Sequence, residues 1–485
     1  MSRPFSLVLV LLFVGCSANV EPPELLLETP KAFATAEPTE ASPVADAWWE
    51  EFGSAELDAV VEATLANNPN LAAAAANFES ALAQARIDAA ALKPQVSLGT
   101  DASRRQQNFI GFPIPGAEEG QVLSTTATFS NLSLNASWEA DLWGRLRAQK
   151  QAGLASALAA EADLAAARLS LAGQAAKAWL ALVEAEQQVL LAEQTLDSRQ
   201  STEDRIDARY RRGLTQPLDL RLTKAQTASV EAQLAQRRQT LDAARRQLEA
   251  LTGVYPNGEI EAGVELPSLP PRPAAGVPAD VVARRPDLRA AESRALAASA
   301  RVRAAQRALY PTLSLSGSTG TAAGSDLEDL LNGDFSVWSL AASLLQPIFQ
   351  GGRLRANVSL AEAGLESSEA TWLQTTLQAF VEVETALASE GFIASQVDAL
   401  AESSSQNEAA QRLALGRYNR GLADFLTVLD SQRSTFQSQS QLLTAKRQQL
   451  AARVDLILAL GGAPTAEPNT ESSEADSSTT PSSAH

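Results

Sequence analysis

The chain has 485 residues, with 39 Lys and Arg against 57 Asp and Glu, a formal net charge of −18, and it holds one Cys and one His. A lone cysteine removes structural disulfides and thiolate metal clusters, and the lone histidine is the final residue, His485, so zinc hydrolases and Ser-His-Asp enzymes are excluded. The excess of acid repels phosphate backbones, and no Walker A or dinucleotide glycine pattern occurs, which sets nucleic acids and nucleotides aside. The chain is rich in Ala, Leu, Gln, Arg and Glu and has 5% aromatics, the composition of long helices and coiled coils. Architecture is expected rather than chemistry, and no cofactor.

Residues 1–15 read as a signal peptide: Arg3 precedes an apolar run from Leu7 to Val14, too short to span a membrane. The run stops at Phe13-Val14-Gly15-Cys16, which resembles the bacterial lipobox with Phe13 where Leu is usual. That resemblance makes Cys16 an acylated, palmitate-bearing mature N-terminus; the plainer reading is an incidental cysteine just past a signal peptide. Ser17 follows rather than Asp, which by resemblance to lipoprotein sorting patterns favours the outer membrane. Residues 16–46, rich in Pro, Glu, Thr and Ala, read as an extended tether, and residues 463–485 as a disordered tail with no assigned function.

Between these ends the sequence is duplicated. Arg209-Tyr210-Arg211-Arg212-Gly213-Leu214 returns as Arg417-Tyr418-Asn419-Arg420-Gly421-Leu422, an offset of 417 − 209 = 208. In the same order, Leu92-Lys93-Pro94-Gln95-Val96-Ser97-Leu98 matches Leu309-Tyr310-Pro311-Thr312-Leu313-Ser314-Leu315, Gly144-Arg145-Leu146-Arg147 matches Gly352-Arg353-Leu354-Arg355, and Asn68-Pro69-Asn70-Leu71 matches Arg285-Pro286-Asp287-Leu288. The repeats are placed at residues 47–265 and 279–462, joined by a Pro-rich linker over residues 266–278 that no regular helix or central strand can cross.

Each repeat opens with a helix, about Leu71 to Leu92 and Leu288 to Leu309, that ends before Pro94 or Pro311. Two segments of period two follow: Val96 and Leu98, then Leu132, Leu134, Ala136 and Trp138 in the first repeat; Leu313 and Leu315, then Trp338, Leu340, Ala342 and Leu344 in the second. Such alternation is the signature of strands with one apolar and one polar face. Proline-free helices then run from Arg145 to Arg212 and from Arg353 to Arg420; 68 residues of helix span roughly 100 Å. Each stops at a glycine suited to a left-handed C-terminal turn, Gly213 or Gly421, and a returning helix begins at once, with Thr215 and Pro217 or Asp424 as expected caps. Heptad spacing at Leu234, Leu241 and Leu248, and at Leu443, Leu450 and Ile457, predicts coiled-coil packing.

Four such strands cannot close a transmembrane barrel, which needs about eight. Left alone they expose unpaired edges, so an exported chain of this kind is expected to oligomerise, its strands building a shared barrel with apolar residues toward lipid and its rods packing into a tube in the periplasm. In this order of elements, the Arg-Tyr-x-x-Gly-Leu turns, Leu309 to Leu315 before a strand and Phe425-Leu426-Thr427-Val428-Leu429-Asp430-Ser431-Gln432-Arg433 after the second turn resemble the outer-membrane efflux proteins, the TolC-like family. The lipobox-like start and Ala47-Trp48-Trp49-Glu50-Glu51-Phe52-Gly53 resemble its lipoprotein branch, which serves resistance-nodulation-division efflux pumps. The resemblance implies a mainly α fold with a small β part: long antiparallel coiled-coil helices forming a periplasmic α-barrel, and four strands per chain entering a trimeric, 12-stranded transmembrane β-barrel. It implies a passive exit duct for small molecules, lipid-anchored in the outer membrane, with a periplasmic adaptor (membrane fusion) protein and an inner-membrane pump as partners.

The resemblance also places the helical turns at the periplasmic mouth against the adaptor, through Arg209, Tyr210, Gly213, Leu214, Arg417, Tyr418, Gly421 and Leu422. A Gly-Leu turn serves any helical hairpin, whereas the repeated Arg and Tyr are not needed to turn a chain. Matching the family pattern puts an apolar constriction at Leu426 and a charged ring at Asp430, with Arg433 one turn on, as a periplasmic gate. Taken alone, Asp430 and Arg433 make a surface ion pair worth under about 1 kcal/mol; in a threefold assembly three Asp430 carboxylates converge. Trp138 and Trp338 suit either a lipid-interface girdle or simple packing, and Trp179 and Trp372 suit packing. The competing readings are a non-channel exported coiled-coil lipoprotein acting as spacer or adhesin, which needs no amphipathic strands; a periplasmic adaptor, whose flanking β domains are not evident; and an enzyme, for which no acidic pair is placed in a cleft.

Overall fold

The computed structural model describes residues 30–35, 46–109, 123–263, 265–276, 278–324 and 327–462. The signal peptide with Cys16, most of the tether and the C-terminal tail lie outside the described residues. In chain order the elements are α1 (Ala55–Asn67), α2 (Pro69–Ala90), β1 (Gln95–Phe109), β2 (Leu123–Ala140), α3 (Arg145–Arg211), α4 (Pro217–Leu251), α5 (Pro278–Arg284), α6 (Pro286–Arg307), β3 (Thr312–Ala323), β4 (Ser336–Leu345), α7 (Arg353–Asn419) and α8 (Phe425–Ala459). The order α, α, β, β, α, α occurs twice. The short helices α1 and α5 extend the expected pattern: their periodicity stops at Asn68-Pro69 and Arg285-Pro286, and the prolines occupy the first position of α2 and α6, where no backbone N–H is needed.

The chain divides into two compact units. One holds Leu82–Ser156 and Ser293–Ala370 and contains an antiparallel sheet of order β1-β2-β3-β4. The repeats meet at its centre, where β2 pairs β3 with Leu134 opposite Thr319 and Trp138 opposite Leu315. Gly320 is required there: a side chain would run into the carbonyl oxygen of Leu132 and come within 2.7 Å of the Ser133 Cα. Below the sheet, Asp141 caps α3 by accepting from the N–H of Leu146 at 3.0 Å and of Arg147 at 2.9 Å, while Arg145 donates twice to Glu139, at 2.7 and 2.8 Å. Trp143 stacks on Tyr310 with ring centres 5.3 Å apart, and its indole N–H donates to Pro311 at 2.8 Å, a second stitch between the repeats.

Of the described residues, the other unit holds those within 30–35, 46–81, 157–292 and 371–462. Its main core packs Trp48, Trp49 and Phe52, with Leu57 and Val61 of α1, against Trp179, Leu180 and Val183 of α3, Leu248 of α4 and Leu450, Val454 and Ile457 of α8. Each large side chain so buried contributes about 1.5–3 kcal/mol. Trp179 and Trp372 are both buried, so packing is their place. The heptad positions Leu234, Leu248, Leu450 and Ile457 are buried, and Leu241 and Leu443 half-buried. The described part of the tether is bound: Phe33 is buried among Val281, Val383 and Leu387, and Glu384 accepts from Ala34 N at 2.6 Å and from Thr35 Oγ1 at 2.5 Å. In the linker, Pro270 accepts from buried Arg453, whose Nε lies 2.5 Å from Glu390; Arg272 reaches the same carboxylate at 3.0 Å.

Candidate functional site

The sheet has two exposed faces of opposite character. Backbone pairing sets Val96 beside Ala136, Gly317 and Leu340, and sets Leu98 beside Leu134, Thr319 and Trp338; Trp138, Leu315 and Ala342 form a third such row. On the opposite face run Ser97, Asn135, Ser318 and Ser339, and Glu139, Ser314 and Ser343; the Ser318 and Ser339 hydroxyls are 2.8 Å apart. The apolar rows are uncovered, with Trp338 and Leu340 each 80% exposed. Trp138 is partly held, its indole N–H donating to Leu92 at 3.0 Å. Among the described residues β1 and β4 have no further strand beside them, so the sheet ends in two open edges. Among the described residues no helix is long and apolar enough to cross a membrane.

The two hairpin turns share one backbone solution. Gly213 and Gly421 have φ of 72° and 74°, conformations favouring glycine. Leu214 N donates to Arg209 O and Leu422 N to Arg417 O, both at 2.9 Å, while Gly213 N reaches Tyr210 O at 2.8 Å and Gly421 N reaches Tyr418 O at 2.9 Å. Asp424 caps α8 as expected, accepting from the N–H and hydroxyl of Thr427 at 2.9 and 2.8 Å, and these bonds hold its carboxyl below the usual range. Thr215 does not cap α4. The N-cap is Gln216, whose side chain makes no capping bond, and Thr215 donates its hydroxyl to Asp219 at 2.6 Å, because the carboxylate in the first turn is the stronger acceptor.

The side chains of the turns part company. Arg209 lies over the ring of Tyr418, which packs against Phe425 with ring centres 5.3 Å apart, whereas Tyr210 and Arg417 are exposed, as are Leu214 and Leu422. Beyond the second turn Phe425, Val428 and Leu429 are buried with Ile206 and Ala414. That leaves Leu426, Asp430 and Arg433 on the free side of α8; Leu426 is 56% exposed, and Arg433 Nη2 stands 2.7 Å from Asp430 Oδ1 in an exposed i, i+3 pair. At the offset of 208 the first repeat carries Leu218, Leu222 and Ala225, so acid and base are peculiar to the second. Sequence reasoning missed the cap Asp141 and the clamp Trp143–Tyr310, although Trp143-Gly144 before a helix is a legible signal.

Residues 60–254 and 277–462, one stretch in each half, match the family described as outer membrane efflux protein. The chain belongs to that family. It is 33% identical over 476 residues to the pyoverdine export outer membrane protein OpmQ of Pseudomonas putida, covering 94% of this chain and 96% of that one. It is likewise 33% identical over 450 residues to the outer membrane protein OprJ of Pseudomonas aeruginosa, covering 87% and 91%. The solved CmeC outer membrane channel of Campylobacter jejuni superposes with a TM-score of 0.85 at 25% identity over 93% of this chain and 95% of that one. This outer membrane efflux protein thus has the TolC-like fold and serves as the outer-membrane channel component of an efflux pump.

Proposed function

We propose that three copies of this efflux protein close their sheets edge to edge into a 12-stranded barrel, with the row Leu98, Leu134, Trp338 toward lipid and the row Ser97, Asn135, Ser318, Ser339 toward the lumen. The observation that carries this reading is the four-stranded sheet with both edges open and an uncovered apolar face, an arrangement one chain cannot leave in water. The long helices continue the duct into the periplasm as a passive conduit for small molecules, with energy supplied by an inner-membrane resistance-nodulation-division pump. Leu426, Asp430 and Arg433 form the periplasmic gate, since they are the face of α8 that the protomer leaves free. The turns meet the adaptor, with Tyr210, Arg417, Leu214 and Leu422 as the contacting side chains and Arg209, Tyr418, Gly213 and Gly421 holding the turns in shape. Residues 1–15 are removed and Cys16 is acylated, anchoring the chain to the outer membrane ahead of the tether; residues 47–265 and 279–462 are the two structural repeats, with 266–278 between them and 463–485 a tail.

The decisive experiment is reconstitution of the full-length protein in planar lipid bilayers, alongside its mass in detergent. Discrete ion-conducting steps from a particle of three chains are expected; a non-conducting monomer rules the channel assembly out. Palmitate labelling that persists in Cys16→Ser rules out the anchor alone.

A further inference from the structure

Three arginines are buried among the described residues: Arg199, Arg453 and Arg285, at 4%, 6% and 8% exposure. Two are neutralised. Arg453 is 2.5 Å from Glu390, and Arg285 is 2.7 Å from both Asp287 and Glu382. Arg199 of α3 has only an amide opposite it, donating from Nη1 to Oε1 of Gln432 on α8, and no carboxylate stands in ion-pair reach among the described residues. Desolvation accordingly lowers the pKa of its guanidinium with no charge to offset it. Arginine keeps its proton throughout the accessible range and presents five N–H donors, so a buried one without a counter-charge is costly.

Beside Arg199 a cavity of about 250 Å³ opens between α3, α7 and α8. Arg412 adds a second guanidinium to its wall, and the one carboxylate there, Glu408, accepts from Gln439 at 2.7 Å. Two fixed positive charges against one negative leave the cavity cationic. The hydroxyls of Thr195 and Thr435 donate to backbone carbonyls, at 2.7 Å to Leu191 and at 2.9 Å to Ser431, and, being neutral, they leave the charge of the lining uncompensated.

We propose that this cavity is a binding site for a small monovalent anion, chloride in a salt-containing medium, held by the guanidinium of Arg199 between α3 and α8. The anion supplies there the counter-charge that Glu390 supplies to Arg453. Gln432 lies in sequence between Asp430 and Arg433 on α8, so occupancy ties that segment to α3 independently of whether the segment gates the duct.

The test uses the full-length, membrane-extracted protein. Crystals soaked in bromide are expected to show an anomalous difference peak within about 3.5 Å of the Arg199 guanidinium, and Arg199→Gln crystals to lose it. In solution at constant ionic strength, the melting temperature of the native protein rises as bulky gluconate is replaced by chloride or bromide, as for any ligand bound only by the folded state. Arg199→Lys keeps part of that shift and Arg199→Gln abolishes it. A cavity without a bromide peak, a melting temperature indifferent to halide, or a carboxylate of a neighbouring copy seated on Arg199 overturns the proposal; the native-protein measurements decide the matter even if Arg199→Gln fails to fold.

Discussion

The guanidinium carbon of Arg209, near the end of α3, stands 5.2 Å from the ring centre of Tyr418, near the end of α7. The residues come from equivalent turns but from neighbouring places within them, so the duplication is broken: one Arg and one Tyr join the two hairpins, and Arg417 and Tyr210 stay outside. A cation over an aromatic face contributes about 0.5–1 kcal/mol at such a site. Arg209→Ala is therefore expected to speed hydrogen exchange at both turns, while Arg417→Ala leaves exchange unchanged and weakens capture of the adaptor. Equal exchange in the two variants would contradict the division.

Opening of the proposed gate is expected to respond to the free face of α8. Leu426→Ala combined with Asp430→Ala raises the single-channel conductance of the reconstituted protein, because the apolar constriction and the converging carboxylates are both removed. Leu218→Ala, the same place in the first repeat, leaves current unchanged. Unaltered currents in the double variant count against the gate.

The register of the sheet makes a sharper test of membrane orientation. Leu340→Arg places a charge among the apolar rows and is expected to cost about 2–4 kcal/mol if that row lies at mid-bilayer. Ser339→Arg, one residue away, points to the other face and is expected to insert normally and to shift ion selectivity toward anions. Folding yield into lipid vesicles checks the first, reversal potentials the second; similar insertion defects in both would refute the assignment of faces.

Glu249, at the end of α4, sets part of the acid limit of stability. Burial by itself raises its carboxyl, but the N–H groups of Gly258, Ile260 and Glu259, at 2.7, 3.0 and 2.7 Å, outweigh that and hold it below the usual 4.5. A depressed folded-state pKa means that this stabilisation is complete above the unfolded value and is lost as pH falls below about 4.5 through the folded value. Glu249→Gln is expected to melt earlier than the native chain at neutral pH and to converge with it in acid. Melting curves that stay parallel at all pH values would exclude this role.

The linker should prove to be fastened rather than loose. Glu390→Gln leaves Arg453 buried without its counter-charge, and breaking a buried pair from one side costs about 3–5 kcal/mol. A comparable change at the exposed pair, Asp430→Asn, costs under about 1 kcal/mol. Thermal denaturation of the two variants compares them directly.

Much of this was legible in one dimension because it rests on local rules. Period-two stretches such as Leu132 to Trp138 named the strands, proline-free runs named α3 and α7, and Gly213 and Gly421 named the turns, since a left-handed backbone is dictated by the residue that occupies it. Duplication at an offset of 208 then determined that whatever one half builds, the other builds too. Which side chain does what was settled only by tertiary packing: Arg209 lies over Tyr418 while its equivalent Arg417 faces out, and Glu390 is given to Arg453 while Arg199 receives only Gln432. Thr215 and Asp424 read alike as caps, yet Asp219 drew the threonine away. Such outcomes depend on groups hundreds of residues apart, or on competition between nearby acceptors, and neither the period of a pattern nor the propensity of a residue encodes the distance between two side chains.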